Sequence, residues 1–592
     1  MSDSGPSWTA LCDLDDLAPG EMKAVGGEGH KLVVIRGVDE RVRVLDNRCP
    51  HEGYPLSQGQ LDGTTLSCCW HNWKFNVDDG GCVLGGESAK TWPCRVWNGA
   101  VQADLAAPDP ATVIPGLLVS LREGLFEHDS GRAVRDGIRL LQLGMSPRGL
   151  LRELAIYDAE HGEYGSTHVL ALAADCARGL ADDLGPEAMY AIAPVIDLCG
   201  ETHRRLPLRE RGAALAHDVS TLGPALRAAV EAEDLPLAQG LLAGAFEAGA
   251  QWSQAQRWLL EIASEHFTDF GHQLIYLTKA GGVLEGAENN DAERELALGL
   301  LDSLLFATRE DTLPYMGRYS RRLQAIEDDL PMLFAGVQAE SLFDGKILRQ
   351  AVLDGSATEA LDALEESLRA GVSPQRIALE LVAAGAHRLL RFDVSLDGDR
   401  SCAEGWLWAS HRFTFAAAVR QAVELLPSPE VLRFLYQAVA FLHSGKPMDV
   451  APGERLDAAA LQQLAVTQQA STEDDLKALD AALAAKHAGA AVTAAQGLLI
   501  TESGVVALRA ALESLCLSDP LVRPIVVAHG IKTTWAAFEE RQALGDHSER
   551  DVPVLAAVRM LSSPIIERRI HELVERSIDW VVHGKMPRKL TQ

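Results

Sequence analysis

The sequence predicts a multidomain protein, a small all-β domain followed by a large all-α domain built from two duplicated helical halves. Three observations carry this. The first hundred or so residues are rich in Gly, Val, Trp and turn signals, whereas Ala, Leu, Glu and Arg in helical periodicity dominate the rest of the chain. The texture changes across AAPDPATVIPG, residues 106–116. Beyond it, several stretches recur at fixed spacing. A chain of 592 residues is also too long for one core. The expected division is residues 1–108 for the β domain, 109–117 for a linker, and 118–344 and 345–592 for the helical halves.

In the β domain, KLVVIRG and RVRVLDN flank GVDE as the arms of a hairpin. The hydrophobic fraction of 47% excludes a disordered chain. A net charge of −29 argues against nucleic acid and anionic membrane surfaces as partners. Ten irregularly spaced cysteines do not form a secreted disulfide framework. The start MSDSGPSWTA has neither a basic segment nor an apolar run, and no stretch reaches the ~18 uncharged apolar residues of a membrane span. A cytoplasmic protein is expected.

The densest chemistry lies in CPHEGYPLSQGQLDGTTLSCCWHNWKF, residues 49–75. Cys49 and His51 form a C-x-H pair, Cys68 and His71 a C-x2-H pair, with sixteen residues between the pairs. Two facing Cys/His loops suit a two-iron cluster in which two thiolates hold one iron and two imidazoles the other. A zinc site from the same four residues is the competing reading, but the uneven spacing suits it poorly. CPH, the glycines and Pro-Leu of EGYPLSQG, and CCWHNWKF with its following DDGG turn resemble the Rieske ferredoxin-type domain over residues 7–105. The resemblance implies a [2Fe-2S] cluster on Cys49, His51, Cys68 and His71. Cys69, adjacent to a ligand, points away and is set aside. Trp70 and Trp73 are expected to shield the cluster from water, and Cys82 and Cys94 to be buried thiols.

A Rieske cluster moves single electrons, so function depends on the helical region. The near-paired histidines after residue 110 are His161 with His168 and His266 with His272. Neither pair stands in the sequence context of the two-His, one-carboxylate iron site of ordinary Rieske oxygenases. The duplication is more informative. LGMSPRGLLRELA parallels AGVSPQRIALELV, with Pro147 opposite Pro374. STHVLALAADCARGL parallels ASHRFTFAAAVRQAV, placing His168 opposite His411, and Pro186 matches Pro429 at the same spacing of 243. LAQGLLAGAFEAG parallels AAQGLLITESGVV at a spacing of 257, which places His272 opposite His529. Histidine kept at both positions in both halves makes His168, His272, His411 and His529 metal-ligand candidates, since related halves bring such side chains to a common axis. His161, His266, His387 and His443 lack such partners and read as core or proton-transfer groups.

FGHQLIYLTKA, ASHRFTFAAAV and AHGIKTTWAAF give the helical region a resemblance to the questin oxidase-like family. Its members are helical oxidases that cleave, or insert oxygen into, carbocyclic ketones and quinones. The resemblance implies a non-haem iron on several histidines, here His168, His272, His411 and His529, with a carboxylated lysine in some members. Lys532, three residues after His529 on the same helix face, is the first choice, with Lys446 and Lys279 as rivals.

The combined expectation is an oxidoreductase, a Rieske-dependent oxygenase. An external reductase or ferredoxin would reduce the cluster, electrons would pass to a mononuclear iron, and O2 would oxidise a small organic substrate; no catalytic residue is assigned. The alternatives are an electron-transfer or redox-sensing protein with a non-catalytic helical binding module, and a zinc or nickel hydrolase that leaves the cluster unexplained.

Overall fold

The computed structural model describes residues 8–106, 109–181, 183–287, 290–338, 341–399, 405–455, 471–567, 578 and 582–583. The chain divides into two compact units, Met1–Gly144 and Met145–Gln592. No described helix is long and apolar enough to cross a membrane.

The first unit carries β1 (Trp8–Asp13), β2 (Glu21–Gly27), β3 (His30–Arg36), β4 (Val42–Asp46), β5 (Gln60–Asp62), β6 (Thr65–Ser67), β7 (Lys74–Asn76), β8 (Cys82–Leu84), β9 (Thr91–Trp92), β10 (Cys94–Trp97) and β11 (Ala100–Asp104). They form antiparallel sheets of order β1-β11-β10, β2-β3-β4-β9 and β5-β6-β7-β8. The hairpin expected across GVDE is the β3–β4 pair, with Val34 opposite Val44. Strand β3 is buried on both faces. Val33 and Ile35 join a core with Leu56, Leu66 and Phe75, while Leu32 and Val34 join another with Trp92 and Val101. Cys49 and Cys68 belong to the first of these cores.

The stretch 109–117, expected as a linker, is instead the start of a helix. Asp109 caps it by accepting from the Ala111 amide at 3.0 Å, and Pro110 occupies the first helical position, where its missing N–H costs nothing. Helices α1 (Pro110–Glu127) and α2 (Ser130–Gln142) therefore belong to the first unit. The buried Glu87 ties α2 to the strands, accepting from Arg135 Nε at 3.0 Å and Arg139 Nη1 at 2.8 Å.

The second unit is helical. It runs through α3 (Pro147–His161), α4 (His168–Gly179), α5 (Met189–Thr202), α6 (Leu222–Glu231), α7 (Leu235–Glu247), α8 (Trp252–Ala263), α9 (His272–Lys279), α10 (Gly281–Leu284) and α11 (Asn290–Phe306). Then come α12 (Gly317–Ile326), α13 (Leu330–Ala335), α14 (Gly345–Asp354), α15 (Ala357–Arg369), α16 (Pro374–Arg391), α17 (Trp406–Leu425) and α18 (Val431–His443). The last described helices are α19 (Thr472–Ala484), α20 (Ala488–Leu498), α21 (Glu502–Leu517), α22 (Pro524–Leu544) and α23 (Val552–Ser562). Of the expected second half, residues 400–404, 456–470, 568–577, 579–581 and 584–592 lie outside the described residues.

The sequence parallels have packing counterparts. Pro147 and Pro374 both open a helix behind a serine cap, Ser146 accepting from Gly149 N at 3.0 Å and Ser373 from Arg376 N at 3.3 Å. Helix α3 packs on α4, α5 and α11 as α16 packs on α17, α18 and α23. Likewise α7 packs on α6 and α11 as α20 packs on α19 and α23. At the centre α4, α9, α17 and α22 close a ring, each packing on the next. Each member carries one of the four matched histidines.

Candidate metal centres

The first centre lies in two loops of one design. In the loop after Cys49, Cys49 N donates to Tyr54 O and Gly53 N to Cys49 O, both at 2.8 Å. In the loop after Cys68, Cys68 N donates to Trp73 O at 2.8 Å and Asn72 N to Cys68 O at 3.1 Å. Gly53 (φ 74°) and Asn72 (φ 60°) take the left-handed conformation at the same step, which glycine and asparagine tolerate best. These turns bring His51 Nδ1 to 3.0 Å from His71 Nδ1, and they bury both cysteines. Burial pushes the Cys49 thiol up to about 11, and Cys68 beside it adds to the shift. Two buried sulfur donors and two converging imidazoles fit a cluster whose thiolates are held by iron charge rather than by protein cations.

Shielding by the tryptophans is only half as expected. Trp73 stacks on His51 at 4.5 Å and 9°, but Trp70 is 60% exposed and stacks on Tyr54 instead. His71 is exposed, with Trp70 edge-on to it at 5.5 Å. Cys69 is exposed, while Cys82 and Cys94 are half-buried rather than buried, because they lie on the short strands β8 and β10.

The second centre is in the helical ring. His272 Nε2 lies 2.8 Å and His529 Nε2 2.9 Å from His411 Nε2. The His168 ring lies 4.5 Å from that of His272 and 5.0 Å from that of His529. His529 Nδ1 donates to Ile525 O at 2.7 Å, so its Nε2 presents a lone pair. His168 Nδ1 contacts the Tyr276 hydroxyl at 3.1 Å, leaving a buried Nε2 without a partner. Burial holds His168, His411 and His529 well below the ordinary histidine range; the next cause is Lys532 for His168 and His529, and His272 for His411. A nitrogen carries one hydrogen or one lone pair, so neutral imidazoles cannot satisfy this convergence among themselves. Ligand nitrogens about 2.1 Å from a metal and at right angles to one another lie about 3.0 Å apart, close to the spacing here.

Two of the four histidines meet a cavity. His411 and His529 sit more than a turn inside α17 and α22 and are each 2% exposed. His168 and His272 are the first residues of α4 and α9, and both line a cavity of about 330 Å³. Lys532 is buried, and its burial brings the ammonium down to about 7. Of its rivals, Lys279 pairs with the buried Asp175, and Lys446 Nζ donates to Gly355 O at 3.0 Å. The unmatched histidines lie outside the ring. His161 Nδ1 donates to Leu206 O (2.8 Å), His266 Nδ1 to Asp311 (2.9 Å), His387 Nε2 to Glu549 (3.0 Å) and His443 Nε2 to Gly355 O (3.1 Å).

Three groups at this centre had no sequence signal. His203, on the 330 Å³ cavity, donates from Nε2 to Asp158 at 2.7 Å and keeps a buried, unpartnered Nδ1. Tyr276 touches His168. Phe270 stacks over His411, with ring centroids 6.1 Å apart. His203 has no counterpart in the second half, and Tyr276 and Phe270 are single aromatics that only the tertiary fold brings to the ring.

Residues 7–94 match the Rieske [2Fe-2S] domain family. Cholesterol 7-desaturase nvd 1 of Ciona intestinalis is 29% identical over 147 residues, 22% of this chain and 31% of that protein. The oxygenase subunit of phthalate 4,5-dioxygenase from Pseudomonas putida is 32% identical over 114 residues, 17% of this chain and 26% of the relative. The chain thus spans about a third or less of these two relatives, both named for oxidative chemistry. The ferredoxin component of the naphthalene 1,2-dioxygenase system of Pseudomonas putida is 30% identical over 101 residues, 17% of this chain and 96% of that protein. Paired loops, buried thiols and converging imidazoles agree with these matches, and the N-terminal unit of the chain carries a domain of the Rieske [2Fe-2S] family.

Proposed function

We propose that the chain is a Rieske-dependent oxygenase whose helical unit holds a mononuclear non-haem iron on His168, His272, His411 and His529. The observation that carries this reading is the convergence of four imidazoles from four helices, two of them opening on a cavity. The relatives named as oxygenases and desaturases support the redox half of the reading, and the resemblance of the helical stretches to questin oxidase-like proteins supports iron. An iron held there would supply dioxygen activation, and the cluster would supply single-electron chemistry.

The protein's own groups do the rest. Burial keeps the histidines neutral and available as ligands. Asp158 fixes the His203 proton on Nε2, so Nδ1 is the atom that takes a proton from, or gives one to, a group in the cavity. Lys532, buried and near enough to His168 and His529 to lower their basicity, is the candidate for carboxylation. An external reductase or ferredoxin delivers electrons at the open His71 side of the cluster. The substrate is a small organic molecule admitted on the side where α4 and α9 begin.

The test is iron content after purification without oxygen. The wild type should hold the two irons of the cluster plus one. His272→Ala and His529→Ala should each lose the third while the cluster spectrum stays intact. Two irons per chain in wild type and variants alike would sink the oxygenase reading.

A further inference from the structure

A second, larger cavity of about 770 Å³ lies in the helical unit. Its walls are aromatic, with Phe270, Tyr315, Tyr319 and Trp408 on the lining. Its rim is cationic, with Arg318, Arg321 and Lys446. Among the described residues, no carboxylate forms an ion pair with any of these three. Arg318 Nη1 donates instead to Thr358 Oγ1 at 3.1 Å, and Lys446 Nζ to the Gly355 carbonyl.

The other polar groups of the lining have partners. Glu310, 2% exposed, accepts from Phe270 N at 3.0 Å and from the Tyr315 hydroxyl. His443 accepts from the Tyr319 hydroxyl at 2.6 Å and donates to Gly355 O. The exception is Trp408, whose Nε1–H is buried and unpartnered. The cavity thus offers flat apolar walls and three cations at its rim against the single buried carboxylate of Glu310. Its volume lies in the range that takes small organic ligands.

We propose that this cavity binds an aromatic carboxylate, with the ring between the aromatic walls and the carboxylate at Arg318 and Arg321. The site is separate from the cavity on which His168 and His272 open. Phe270 lines this cavity and stacks over His411. Binding does not require a metal, so it stands or falls apart from the oxygenase reading.

The test is calorimetric titration of the full-length protein with 2-naphthoate, in metal-loaded and metal-free forms. Saturable binding is expected in both, and it should weaken about tenfold in an Arg318→Gln/Arg321→Gln variant. Neutral 2-naphthamide should bind wild type more weakly than naphthoate and be unaffected by the double change. Both arginines are exposed, so the variant should keep its fold, checked by its melting temperature. The proposal is overturned if wild type shows no saturable naphthoate binding, if the variant loses less than threefold, or if the amide binds as tightly as the acid.

Discussion

Among the ring's neighbours, His203 has the geometry of a proton-handling group. A carboxylate that accepts from one ring nitrogen settles which nitrogen keeps the proton, and Asp158 does this for His203 while also accepting from Thr167 N at 2.8 Å. Asp158→Asn should therefore leave three irons per chain but lower turnover by about 10²-fold and flatten the pH–rate profile. An unchanged profile would reduce His203 to a packing residue. The four ring histidines were legible in the sequence because duplication recorded them twice. His203 was not, because its role depends on a partner 45 residues away that only the α3–α5 packing supplies.

At the scale of elements, the short segment before α9 sets His272. Asp269, Phe270 and Gly271 have φ of 38°, 56° and 83°, a run of left-handed backbone that two non-glycine residues resist. It is held by Phe270 N on Glu310 and by Thr308 N on Asp269 Oδ1 at 3.0 Å. A Cβ on Gly271 would stand 2.1 Å from the ring of Phe415. Gly271→Ala should cost roughly 2–4 kcal/mol in urea unfolding of the helical signal and lose the third iron. Retention of both would show that the segment adapts. The sequence shows the helix of FGHQLIYLTKA by its periodicity, but not where that helix begins. The left-handed run depends on contacts with residues 308–310 and Phe415, which no local pattern records. The DP of AAPDPATVIPG misled in the opposite sense, reading as a linker when it is a helix cap and first turn.

At the scale of the molecule, the β-to-α division was legible from composition, whereas the unit boundary at Gly144 was not. The buried Glu87 with its two arginines ties α2, on which α1 packs, to the strands of the first unit, and charge pairs at that sequence distance leave no periodic trace. Separate cores imply separable losses. Cys68→Ala should abolish the visible cluster spectrum while far-ultraviolet circular dichroism keeps its helical signal and the histidine-bound iron remains. Joint loss of cluster and helices would mean that the two units share one folding event.

The different places of the histidines in their helices carry a consequence of their own. In an assembly of two identical chains, every change is made twice, and neither partner can shorten a helix without the other doing so. Here the first copy begins α4 and α9 at their histidines, while the second keeps more than a turn in front of each. Within one chain the two sets of helices change independently, so one can begin at a cavity-lining histidine while the other keeps its histidine buried.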